Sequence, residues 1–148
     1  MYLDSLEISN FRCFREAKIE LRHPGRNDSS MKFPNLNLLL GINGSGKSSI
    51  LKAIALASLA PVLKGGSGLS LYRVVRNTGP DTQSADSAGF AAKLILHSQD
   101  TGGSPKEEKS VPFGLKSVVR RIGHIEELEV ETTSDTVPVG IFEDDSPA

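Results

Sequence analysis

Two stretches near the start of the chain alternate apolar and polar residues, Leu6 and Ile8 within residues 2–9 and Ala17, Ile19 and Leu21 within residues 17–21. A period of two predicts two half-buried strands. Asn35, Leu36, Asn37, Leu38, Leu39 and Leu40 form a mostly apolar run instead, which predicts a buried parallel strand. Over residues 48–60, Ile50, Leu51, Ile54, Ala55, Ala57 and Leu59 leave almost no polar face and Lys52 is the one charge, so a helix buried beside a sheet is expected, closed by Pro61. Further strands are expected over residues 90–97, 118–122 and 128–132, the last with apolar and acidic residues in strict alternation, and a short one over 137–142. Polar and glycine-rich composition predicts flexible loops over 61–89, with Val74 and Val75 as a short ordered piece, and over 98–110, as a hairpin loop or insertion. Residues 23–32 read as a polar loop. The pattern predicts an α/β fold with a mixed β-sheet and a buried helix.

The chemistry is concentrated between the apolar run and the helix. Gly41, Ile42, Asn43, Gly44, Ser45, Gly46, Lys47 and Ser48 fit the G-x-x-x-x-G-K-[ST] phosphate-binding pattern in its strand–loop–helix setting. Glycines at 41, 44 and 46 remove side chains that would keep the backbone from wrapping an anion, so consecutive N–H groups are free to point inward. Lys47 supplies a point charge for the β- and γ-phosphates and Ser48 a hydroxyl for a Mg²⁺ ion. The helix N-terminus adds its partial positive charge. These residues predict a site for a nucleoside triphosphate, with Mg²⁺.

Composition narrows the class without naming a target. The 148 residues suffice for one globular core, so one domain is expected over 1–148. A formal charge of −1 provides no overall basic field, and any nucleic-acid contact needs a local patch or another part of an assembly. The one basic cluster, Lys116, Arg120, Arg121 and His124, runs straight into Glu126, Glu127 and Glu129 and reads as a solvated mixed-charge surface. No apolar run is long enough to span a membrane and no signal peptide is visible, so a soluble cytoplasmic protein is expected. Cys13 is the only cysteine and is expected to be a small, semi-buried residue near a strand. His23, His97 and His124 are dispersed and read as structural or exposed.

Between the first two predicted strands lie Asn10, Phe11, Arg12, Cys13, Phe14 and Arg15. By chemistry alone both arginines read as solvated turn residues. The combination of a short strand, Asn10-Phe11-Arg12, a second strand and then residues 37–49 through Ser49 resembles the N-terminal lobe of the RecF/SMC-like branch of ABC-type ATPases, within the wider AAA group. The resemblance covers residues 1 to about 60. It implies a P-loop NTPase lobe that binds ATP and Mg²⁺ through Gly41, Asn43, Gly44, Ser45, Gly46, Lys47, Ser48 and Ser49, with Lys47 catalytic and Ser48 at the metal. It also implies that Arg12 approaches the nucleotide phosphates, while Arg15 stays on the surface.

The same resemblance implies further parts that these residues do not supply. Relatives of this kind hydrolyse ATP between two heads, with a glutamine, a Ser-Gly-Gly-type signature and an apolar strand ending in Asp-Glu. Gln83 and Gln99 lie in polar stretches, Ser67 with Gly65 and Gly66 follows the helix too closely, and Asp144-Asp145 lacks the apolar strand. The expectation is therefore an N-terminal lobe of a longer ATPase, inactive alone, that meets the remaining half of the head in cis or trans and forms a head-to-head dimer. Its parent would couple ATP to DNA repair or anti-phage defence, with DNA a possible partner and no membrane. The alternatives are a short regulatory subunit that binds ATP-Mg²⁺ without hydrolysis, and a kinase or GTPase, whose guanine-reading or arginine-rich lid motifs are not seen.

Overall fold

The computed structural model describes residues 1–24, 32–33, 35–64, 71–77, 84–97 and 110–132. They form strands β1 (Tyr2–Phe11) and β2 (Phe14–Glu20), helix α1 (Lys47–Lys64), and strands β3 (Ser87–His97), β4 (Ser110–Ile122) and β5 (Ile125–Thr132). The strands make one sheet in the order β2-β1-β3-β4-β5, and every neighbouring pair is antiparallel.

Alternation explains which face is covered. Leu6 and Ile8 of β1 pair with Ala92 and Phe90 of β3, which pair in turn with Leu115 and Ser117 of β4. All six are buried on one face, with Ala88, Leu94, Leu96, Phe113 and Val119 extending the same row. Each large apolar side chain removed from water contributes about 1.5–3 kcal/mol before conformational costs, so this row dominates the stability of the lobe. The residues between them, Glu7, Lys93, Lys116 and Arg120 among others, point to the opposite, polar face.

Helix α1 lies on the apolar face, touching β1, β3, β4 and β5. Ala53, Leu56, Ala57 and Ala60 form its buried stripe at helical spacing, and the three alanines let the backbone approach the sheet closely. Its other side stays apolar and uncovered: Leu51, Leu59 and Val62 are exposed. The helix runs one turn beyond its expected end, with Pro61 inside it. Proline near the C-terminus removes only one backbone bond, and Leu63 beyond it packs against the core, which holds the last turn.

The expected buried strand at 35–40 is not formed. Among the described residues this segment has no regular structure and pairs with no strand, and Leu38 and Leu40 are 73% and 89% exposed. A buried parallel strand needs a neighbour and a covering layer, and none of β1 to β5 pairs with this segment. What anchors the segment is Asn37, whose side-chain amide accepts from Arg22 N at 2.8 Å and donates to Arg22 O at 3.0 Å. The chain leaving β2 is fixed by buried His23, which hydrogen-bonds Asp4 at 3.1 Å and stacks on Tyr2.

Two strand boundaries also differ from expectation. β3 starts at Ser87, inside the polar stretch. β4 starts at Ser110 rather than 118, because Pro112 and Gly114 interrupt the apolar signal although Phe113, Leu115 and Ser117 alternate inward. Pro112 pairs with Ile95 of β3, and among the described residues β4 has no second strand neighbour there, so the missing N–H costs no ladder bond on that side. The expected strand at 137–142 lies outside the described residues, as do Ser67, Gln83, Gln99, Asp144 and Asp145.

Candidate phosphate-binding site

The loop between residues 41 and 46 turns through Asn43 and Gly44 and enters α1 at Lys47. Gly44 and Gly46 adopt φ of +84° and +93°, the left-handed region where a side chain is strained. At Gly41 the constraint is space, since a Cβ there would stand 2.5 Å from Ser45 Oγ. Ser45 N donates to Ile42 O at 3.2 Å, and the helix begins with Ile50 N donating to Gly46 O at 2.9 Å. The amides of Lys47, Ser48 and Ser49 precede that first helical bond and have no carbonyl one turn back within the helix. Ser48 is exposed beside them and Ser49 is half-buried. The Lys47 ammonium folds over the loop, donating to Gly41 O at 2.6 Å and Ile42 O at 2.8 Å. A cation held over a glycine-lined turn at a helix N-terminus suits a phosphate, which would replace the two carbonyls as its partner.

The β1–β2 turn completes the site. Arg12 and Cys13 are its two-residue loop, closed by the pair Phe11 and Phe14. Arg12 takes φ +50°, the sign that tight hairpin turns need at their first position, as Gly123 does at +64° in the β4–β5 turn. This turn packs on the phosphate loop: a Cβ on Gly46 would come 2.7 Å from Phe14 Cζ and 2.9 Å from Cys13 Sγ. Cys13 lies between two strands, as expected, but it is exposed at the rim of the loop rather than semi-buried, because it sits in the tight turn itself. Arg12 is half-buried, its guanidinium 5.9 Å from the Phe11 ring centre, and its Nε is enclosed without a hydrogen-bond partner. Arg15 is exposed.

Residues 71–77 tie this turn to the far end of the sheet. Arg12 N donates to Val74 O at 3.0 Å and Arg76 N to Asn10 O at 2.7 Å, flanking a bridge between Phe11 and Val75. Val74 and Val75 are buried, in line with the short ordered piece expected there.

The basic cluster is divided by the fold. Arg120 pairs with Glu129 at 2.8 Å, whose hydrogen bond and charge raise the guanidinium pKa above its ordinary value. Arg121 is turned inward beside Glu126, and Lys116 and His124 remain exposed. A shallow groove of about 600 Å³ crosses the polar face of the sheet between Glu7, Glu16, Lys18, Lys116 and Glu131, away from the phosphate loop. Among the described residues no cluster of His, Cys, Asp or Glu could hold a metal by itself, and no helix is long and apolar enough to cross a membrane.

Comparison with known proteins agrees with this geometry. Residues 1–63 match the family model of the AAA ATPase domain. The DNA replication and repair protein RecF of Acetivibrio thermocellus is 31% identical over 123 residues, covering 81% of this chain and 26% of RecF. Structural maintenance of chromosomes protein 6 of Saccharomyces cerevisiae is 28% identical over 121 residues, 82% of this chain and 9% of that protein. A solved structure from work on ATP-driven dimerization and DNA-stimulated activation of SMC ATPases matches with a TM-score of 0.53 at 18% identity, over 89% of this chain and 70% of the other. The chain carries an SMC/RecF-like AAA ATPase lobe. The lobe spans about a quarter or less of the length of these two curated relatives, which are proteins of DNA repair and chromosome maintenance. Its fold is that of a P-loop NTPase N-terminal lobe, an antiparallel sheet covered by the helix that follows the phosphate loop.

Not marked in the sequence are Cys13 and Phe14 as the side chains packed beside Gly46, and Arg121 and Glu126 as partners of residues 74–75. No local pattern marks them, because each acts through contacts between segments distant in the chain.

Proposed function

We propose that this lobe binds ATP with Mg²⁺ at residues 41–49 and forms one half of a composite ATPase site. The observation that carries the reading is the packing of the Arg12–Cys13 turn on Gly46, which joins two segments separated by more than thirty residues at one phosphate loop. In this reading the backbone amides from Gly44 to Ser49 receive the β-phosphate, with Asn43 and Ser45 shaping the loop. Lys47 exchanges the Gly41 and Ile42 carbonyls for the β- and γ-phosphates, and Ser48 offers its hydroxyl to Mg²⁺. Arg12, with an enclosed Nε that lacks a partner, contributes a second cation from the turn. Bound Mg²⁺ would neutralise charge on the phosphates, and its remaining oxygens would come from nucleotide and water.

The lobe spans 1–148 as the N-terminal part of an ATPase head, and the other half comes in cis or from a second chain. Support comes from the apolar side chains that the described residues leave uncovered at Leu36, Leu38, Leu40 and Ile42 beside the loop and at Leu51, Leu59 and Val62 on α1. A head-to-head dimer acting on DNA in repair follows the roles of these relatives, while a role in anti-phage defence rests on the sequence resemblance alone. Titration of the purified chain with a fluorescent ATP analogue and Mg²⁺ tests the site. Saturable binding is expected, weakened about ten- to hundredfold by Lys47→Ala, as loss of a charge-assisted contact predicts. Rapid phosphate release by the 148-residue chain alone, abolished by the same substitution, would overturn the half-site reading. Equal competition by GTP would overturn the choice of ATP.

A further inference from the structure

The turn that carries Arg12 is gripped from the opposite end of the sheet by two charged side chains. In the bridge between Phe11 and Val75 the flanking bonds run from Arg12 N to Val74 O and from Arg76 N to Asn10 O. Val75 is therefore at the widely spaced position of an antiparallel pair, and its own N–H and C=O point away from β1. Both are taken up by side chains. Glu126 accepts from Val75 N at 3.1 Å with one carboxylate oxygen and from Val74 N at 2.7 Å with the other. Arg121 Nη2 donates to Val75 O at 2.8 Å and lies 3.6 Å from Glu126. Arg121 and Glu126 are direct partners across the β4–β5 hairpin, so one turn of the sheet presents both. A carboxylate and a guanidinium thus stand in for a missing strand along residues 74–75.

Surface ion pairs hold little, but this one is not on the surface: the Glu126 side chain is 6% exposed. Truncating it would leave two buried amides without their acceptor and remove the carboxylate beside Arg121. The contacts then continue in one direction, from Glu126 to Val74 and Val75, to Arg12, and through Cys13 and Phe14 to Gly46.

We infer that Glu126 and Arg121 are positioning residues for the phosphate site, setting the Arg12 turn against the loop without touching nucleotide. This rests on the nucleotide reading above. The test compares Glu126→Ala, Glu126→Gln and Arg121→Ala in the full chain, with Leu115→Ala as a variant that weakens the core elsewhere. Two quantities are read: the rate at which N-ethylmaleimide alkylates Cys13 without nucleotide, and the affinity for MgATP. Glu126→Ala and Arg121→Ala are expected to speed alkylation and weaken MgATP about tenfold each. Glu126→Gln keeps one acceptor oxygen but sets an NH2 against the other amide, and is expected to fall between the native chain and Glu126→Ala in both readouts, while Leu115→Ala stays within about threefold of the native chain despite its lower Tm. Native alkylation rates in both Glu126→Ala and Arg121→Ala would overturn the inference, and so would equal acceleration in Leu115→Ala. If Glu126→Ala does not fold, Arg121→Ala and Glu126→Gln decide by the same criteria. Failure of the native chain to bind MgATP would defeat the nucleotide reading, while the alkylation rates still decide whether the pair holds the turn.

Discussion

Gly46 and Cys13 are in van der Waals contact across two segments of the chain, with no room between the glycine and the Cys13 sulfur for even one added carbon. The phosphate loop is therefore shaped on one side by its own glycines and on the other by the β1–β2 turn. Changes at either segment are felt at the site.

Two glycine substitutions separate backbone strain from contact. Gly44→Ala places a Cβ at φ +84° with nothing within 4 Å, so only the left-handed penalty of about 1–2 kcal/mol is expected. Gly46→Ala adds collision with Phe14 and Cys13 at φ +93°, about 1–3 kcal/mol more. Urea denaturation should rank Gly46→Ala as the less stable of the two, and MgATP titration should rank it as the weaker binder.

Cys13 offers a reporter on the native protein, because it is the only thiol in the sequence. Bound MgATP is expected to slow its alkylation by stiffening the loop against the turn. The slowing should be lost in Lys47→Ala, as followed by mass spectrometry over time. Identical rates with and without saturating nucleotide would separate the turn from the site.

Exposure predicts opposite outcomes for two leucines. Leu6 is fully buried under α1, and Leu6→Ala is expected to cost about 2–5 kcal/mol of stability. Leu38 is 73% exposed, and Leu38→Gln is expected to leave the melting temperature of the lobe unchanged while weakening its association with the complementary half that the proposed function calls for. Calorimetry on the chain and co-purification with the complementary half measure the two effects.

The Lys18–Glu7 pair on the polar face sets a pH expectation. The hydrogen bond to Glu7, and then its charge, hold the Lys18 ammonium above its ordinary pKa of 10.5. A raised pKa in the folded state stabilises fully below the ordinary value and is lost as pH rises through the raised one. The stability difference between the native chain and Lys18→Gln should thus be constant from about pH 6 to 9 and shrink only above about pH 10.5. It should be small and should fade with salt, since both side chains are more than half exposed.

Much of this architecture is legible in the order of residues. Alternation in residues 2–9 and 17–21 marks the first hairpin, the apolar helix follows its loop, and the spacing of Gly41, Gly46, Lys47 and Ser48 marks the candidate phosphate site because that pattern is local. Local pattern misleads where burial depends on a neighbour. Residues 35–40 read as an interior strand, yet none of the five strands pairs with them, and Leu36, Leu38 and Leu40 are exposed. Pro112 and Gly114 hide the first half of β4, which the register with β3 imposes. Arg12 illustrates the division best. The sequence by itself makes it a cation in a turn, and only the tertiary structure rests that turn on Gly46 and ties it through Val75 to Arg121 and Glu126. Those contacts span up to about fifty residues of chain, a distance at which no short-range periodicity carries information, and only the folded arrangement of loop, turn and sheet brings them together.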